Sequence, residues 1–152
     1  MNVDAAIPWS SDCFGVGVII RDYLGGVIVA MAKRFPGAPT AFLAECTAFR
    51  EGLKLTLYFD LVLEKAKTDV QNVVSAIKKK KSPLAIESPI INDISVFLSQ
   101  LEDVCCSFVP RSGNLVAHTL ANYALNIPSC ALWTNEIPTC ISNVVLSDLS
   151  YK

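Results

Sequence analysis

Three carboxylates of this chain stand where a structural role explains them poorly. Asp4 interrupts an apolar strand pattern, Glu45 falls on the apolar stripe of a helix, and Asp69 closes a strand just before another helix. Acids in such places can hold a hard cation through oxygen ligands, because a buried carboxylate is costly unless it is paired, neutralised or bound to metal. Helical phase makes the case for Glu45. The neighbours that share its face are Ala41, Phe42, Ala48, Phe49 and Gly52, whereas Thr47, Arg50, Glu51 and Lys54 take the other side. A buried salt bridge is the alternative, and no obvious cation lies nearby in sequence. Asp4 shares its strand face with Asn2 and Ala6, small enough to leave room beside it. Asp69 reads two ways: as the N-cap of the helix that follows, or as an acid at the carboxyl end of a strand, where open α/β sheets bind ligands.

The elements that must position these acids follow from periodicity and punctuation. Residues 1–7, 14–22 and 27–35 read as strands, with Gly25 and Gly26 in the turn before the third, which makes an antiparallel meander. Thr40 can N-cap a helix over 41–58 after the Pro36-Gly37-Ala38-Pro39 break. A strand over 61–68, a helix over 70–79, a break at Ser82-Pro83, a helix over 90–100, a strand over 104–109 and a helix from about 114 to 125 complete the pattern. A meander followed by strand–helix alternation predicts an α/β fold: a five-stranded mixed sheet flanked by helices. We divide the chain into a domain over 1–126 and an extension over 127–152 that packs on it or trails from it.

Composition narrows the setting. The 152 residues suit one domain, and 52% are hydrophobic, yet no apolar stretch is long enough for a membrane span. The start lacks a basic segment followed by an apolar one, so no targeting signal is read and a reducing, intracellular setting is expected. None of the six cysteines forms a C-x-x-C pair, which favours apolar thiols over a zinc or disulfide framework. A net charge of −1 excludes a strongly basic nucleic-acid binder, leaving only local contacts. The one basic run, Lys78-Lys79-Lys80-Lys81, complements a helix C-terminus or offers a phosphate-contacting edge.

Five segments in register carry a family resemblance. They are Asn2-Val3-Asp4-Ala5-Ala6, Gly15-Val16-Gly17-Val18-Ile19-Ile20-Arg21-Asp22, Ala44-Glu45-Cys46-Thr47-Ala48-Phe49-Arg50-Glu51-Gly52-Leu53, Thr68-Asp69-Val70-Gln71-Asn72-Val73-Val74 and Val109-Pro110-Arg111-Ser112-Gly113-Asn114-Leu115-Val116-Ala117-His118. Together they resemble ribonuclease H type 1, and within it the plant, retrotransposon-derived branch called reverse-transcriptase-like. The resemblance implies that Asp4, Glu45 and Asp69 hold two Mg²⁺ ions and hydrolyse the RNA strand of an RNA–DNA hybrid, with RNA selected through its 2′-OH. It also places Gln71, Asn114 and Arg111 against nucleic acid, in a monomer that needs no membrane.

One departure stands out: His118, the chain's only histidine, falls where the family carries a fourth metal-site acid. The exchange weakens attraction for Mg²⁺ and favours a softer ion such as Mn²⁺; His118 also fits a proton shuttle or a helix-edge residue without function. Ala41 and Phe42 replace polar groups that grip nucleotides in cellular members. The rival expectation is a non-catalytic module that binds nucleic acid or protein. A small-molecule α/β enzyme is disfavoured, for the chain has no Gly-rich phosphate loop and no G-x-S-x-G elbow.

Overall fold

A computed structural model describes residues 1–10, 12–81 and 84–150; the expected break at Ser82-Pro83 lies outside the described residues. β1 (Asn2–Ala6), β2 (Cys13–Arg21) and β3 (Val27–Pro36) form the meander, with Asp4 opposite Gly17 and Val3 opposite Val18. The β2–β3 turn closes on Asp22, whose Oδ1 accepts N–H bonds from Leu24 at 2.9 Å and Gly26 at 2.7 Å, while Gly25 takes a positive φ of 90°. β4 (Lys65–Thr68) and β5 (Cys105–Phe108) add on in parallel beside β1. All five expected strands are present, and a sixth, β6 (Cys130–Thr134), pairs antiparallel with β3. The order is β5-β4-β1-β2-β3-β6.

β4 is shorter than the expected 61–68. Asp60, in a left-handed conformation, turns the chain out of the first helix, and residues 61–63 run outside the ladder although Leu63 is buried. Leu61 and Leu63 pack on the core there without strand pairing, while Val62 is exposed.

Among the described residues, five α-helices lie on the two faces of the sheet. On one face α1 (Ala41–Tyr58), α2 (Gln71–Lys79) and α3 (Ser88–Ser99) bury Val3, Val16, Val18, Ile20, Phe49, Leu53 and Ile94. Thr40 caps α1 as expected, its Oγ1 accepting the Leu43 N–H at 3.2 Å. The polar side of α1 is not left to water. Glu51 is 4% exposed and accepts from Lys33 of β3 at 2.8 Å and from Lys54 at 3.1 Å, and these two cations hold its carboxyl below the usual range against the opposing effect of burial.

The other face is built from small residues. α4 (Leu115–Ala124) and α5 (Ser142–Ser150) pack there with Ile19, Ala30, Ala32, Ala117, Leu120, Ile141 and Val145. A Cβ on Gly15 would run into the Ala121 carbonyl, and one on Gly17 into the Ala117 carbonyl and the Ala121 amide. Backbone atoms of a helix cannot step aside singly, so α4 lies on β2 only because these two side chains are absent. Gly17 also faces Asp4 across the β1–β2 ladder, so this contact sets the height of α4 above the first acid. Gly17→Ala is expected to lower stability by about 3 kcal/mol, the range of an overpacked core, read as a lower denaturant midpoint at unchanged slope.

Candidate metal-binding active site

The site lies in a split between two strands. β1 and β4 begin as a parallel pair, with Asn2 opposite Lys67 and the Lys67 N–H bonded to the Met1 carbonyl at 3.0 Å; the pairing goes no further. Alternation along β1 then points the Val3 carbonyl and the Ala5 N–H at β4 with no ladder partner there. Side chains take them instead. Asn114 Nδ2 donates to the Val3 carbonyl at 2.9 Å, and Glu45 Oε1 accepts the Ala5 N–H at 3.2 Å. Glu45 therefore reaches the sheet from the first turns of α1, while Asp69 arrives just past the end of β4.

Asp4, Glu45 and Asp69 each bring one oxygen within 4.8 Å of the other two. Asp4 is 3% and Glu45 6% exposed. Among the described residues, Glu45 Oε2 and Asp69 Oδ1 are buried oxygens with no hydrogen-bond partner. The alternative for Asp69 fails here, because Val70 holds the cap position of α2 and Asp69 does not serve it. The salt-bridge alternative for Glu45 fails as well, since no cationic side chain is paired with it among the described residues. Burial first, then the charge of Asp4, pushes the Glu45 carboxyl up to about 9. Burial and then the Asp69 charge raise Asp4 too, and the hydrogen bond from His118 opposes that rise. Three converging carboxyls and two orphaned oxygens are a donor set of hard oxygens, and it fits a divalent cation.

His118, in the first turns of α4, stands over the site with Nδ1 2.6 Å from Asp4 Oδ2. Its Nε2 lies 3.3 Å from Arg111 Nη2 and 3.2 Å from Asn122 Nδ2. Asn122 was not singled out from the sequence, although its spacing of four from His118 on one helix marks it as a neighbour. Asn2 was also missed; its amide donates to Asn114 Oδ1 at 3.0 Å. Asn114 itself is 1% exposed and clamps β1 to the start of α4, so its amide is spent inside the protein rather than offered at the surface. Gln71 and Arg111 are exposed, at the first residue of α2 and in the turn before α4. Lys78 to Lys81 are exposed at the end of α2, and no disulfide joins any of the six cysteines. None of the helices among the described residues is long and apolar enough to cross a membrane.

This sheet order, with acids from β1, α1 and the end of β4 meeting in one split, defines the ribonuclease H-like class of fold. RNase H1 from the halophilic archaeon Halobacterium salinarum NRC-1 superposes with a TM-score of 0.75 at 22% identity, covering 82% of this chain and 95% of that one. The N-terminal RNase H domain of rv2228c from Mycobacterium tuberculosis gives 0.73 at 20% identity, covering 82% and 90%. LC11-RNase H1, solved in complex with an RNA/DNA hybrid, gives 0.73 at 20% identity, covering 82% and 94%. No curated protein matches the sequence. Residues 2–124 match the family described as reverse transcriptase-like, and the chain belongs to that family.

The electrostatics of the trio set a pH dependence. With divalent cations chelated, the folded state keeps on Glu45 a proton that the unfolded chain loses above its ordinary value of 4.5. Stability then falls as pH rises from about 5 toward 9, by at most about 1.4 kcal/mol per pH unit for one group. Thermal melts in chelator at pH 6 and pH 8 are expected to show a lower Tm at the higher pH, and Glu45→Gln is expected to remove most of that difference. Added divalent cation should raise the wild-type Tm more at pH 8 than at pH 6, since ligation requires the deprotonated carboxylates.

Proposed function

We propose that this protein is a metal-dependent endonuclease that hydrolyses the RNA strand of RNA–DNA hybrids, with Asp4, Glu45 and Asp69 as its metal-binding catalytic acids. The observation that carries the reading is the meeting of the three carboxylates within 4.8 Å of one another in the β1–β4 split. The solved relative bound to an RNA/DNA hybrid supplies the substrate class. When bound, a pair of Mg²⁺ or Mn²⁺ ions would neutralise the trio, activate the attacking water and stabilise the leaving oxygen.

The chain's own residues do the rest. Asp4 and Glu45 are held by β1 and by the Ala5 N–H respectively, so their oxygens keep fixed positions at the edge of the split. To hold a cation, Glu45 would give up the proton that burial and the Asp4 charge favour on it. Gln71 and Arg111, both exposed and both C-terminal to the trio in the chain, are the groups that touch the hybrid, the first through its amide at the groove and the second, with the donors His118 leaves unused, at a strand phosphate. Asn114 contributes from within, by fixing the start of α4 against β1.

The test is cleavage of a labelled hybrid in Mg²⁺ and separately in Mn²⁺, with Asp69→Asn beside the wild type. RNA loss by the wild type, lowered at least about a hundredfold in the variant, is the expected result, in line with the loss of a group that acts in the transition state. No RNA loss in either metal, or equal loss in the variant, sinks the nuclease reading. Hybrid binding without cleavage would instead assign the chain to a binding-only role.

A further inference from the structure

We infer that His118 is a positioning residue for Asp4, locked by Arg111 and Asn122 in the tautomer that carries its proton on Nδ1. A guanidinium has only donors, so the 3.3 Å contact from Arg111 Nη2 requires Nε2 to be the acceptor. The Asn122 amide agrees. Its Nδ2 also donates to the His118 carbonyl at 2.9 Å, which turns the same NH₂ group toward Nε2 at 3.2 Å. Two donors thus converge on one ring nitrogen, and a neutral imidazole must place its single proton on the other. That nitrogen, Nδ1, faces Asp4 Oδ2 at 2.6 Å and donates to it.

Neither nitrogen of His118 is then left with a free lone pair aimed at the trio. At the position where the resemblance places a fourth acid, the protein brings a neutral donor. The exchange trades one ligand for control of another. With Oδ2 engaged by Nδ1, the Asp4 carboxylate is fixed in rotation and presents Oδ1 to the split, in the manner of the outer partners that orient metal-binding groups. The lock itself sits at the surface. Arg111 is exposed, His118 is 29% exposed at its side chain, and the guanidinium keeps further donors for a strand phosphate while one holds Nε2.

The functional half of this inference rests on the reading of Asp4 as a cation ligand; the tautomer does not. A single histidine makes the tautomer directly measurable. In ¹⁵N-labelled protein at pH 8, long-range ¹H–¹⁵N correlations are expected to show Nδ1 protonated and Nε2 bare. The Arg111→Ala/Asn122→Ala double variant should shift the ring toward a mixture. Binding of Mn²⁺ alone, followed by its paramagnetic resonance signal, should weaken ten- to a hundredfold in His118→Ala. His118→Asn, whose Nδ2 can stand where Nδ1 stood, should recover most of that loss. A protonated Nε2 in the wild type overturns the lock, and equal Mn²⁺ affinities for the Ala and Asn variants overturn the positioning role. Absence of Mn²⁺ binding by the wild type would remove the cation-site reading and the positioning role with it, while the ring spectrum would still decide the lock.

Discussion

The early parting of β1 from β4 is the constraint on which the rest of this structure depends. Parallel strands that stay together satisfy each other's peptide groups, and there is then no gap between them. Here the ladder stops after Asn2 and Lys67, and the Val3 carbonyl and Ala5 N–H must find partners elsewhere. α1 supplies a carboxylate and the cap residue of α4 supplies an amide, so helices from opposite faces of the sheet are tied to one strand at Val3 and Ala5, on either side of Asp4. The gap that results is wide enough for acids and narrow enough to crowd them. Crowding is unfavourable for folding and favourable for holding a cation, a conflict common at functional sites.

The two faces solve the packing problem differently, and the difference is what aims the site. Under α1, branched and aromatic side chains fill the core while Gly52 leaves room for Met1 and Val3, and Glu45 reaches the Ala5 N–H of the ladder. Under α4, Gly15 and Gly17 meet Ala117 and Ala121 almost backbone to backbone, which brings His118 down to Asp4. An acid from one helix and a ring from the other thus arrive at neighbouring residues of β1, Ala5 and Asp4. The Lys33–Glu51–Lys54 cluster holds α1 to β3 on the far side of that helix from the gap.

Much of this was legible in the residues because it obeys local periods. The meander, the span of α1 and the inward phase of Glu45 follow from alternation and from helical spacing, which act over a few residues. What was misread or left open depends on pairing at long range. An apolar Leu61-Val62-Leu63 looks like a strand until one knows that β1 offers no partner there. Asp69 before a helix has the composition of an N-cap, and only the cap position at Val70 separates the two roles. The resemblance places Asn114 against nucleic acid, and its buried partners Asn2 and Val3 lie more than a hundred residues away in the chain, beyond any local signal. β6 is half-exposed, and its residues carry little signal without β3 beside them.

β6 also changes what the sheet presents to other molecules. Without it, β3 would be a ten-residue outer strand whose middle, Val29 to Ala32, is almost wholly apolar. Such an edge is a template for unwanted pairing with other chains. β6 covers it from Val29 to Lys33 and replaces it with a strand of five residues, bracketed in the sequence by Pro128 and Pro138. The segment that completes this cover lies beyond residue 124, where the family match ends. The tail therefore covers an apolar edge of the sheet, a job apart from the chemistry, and the matched region alone would keep the three acids while leaving that edge bare.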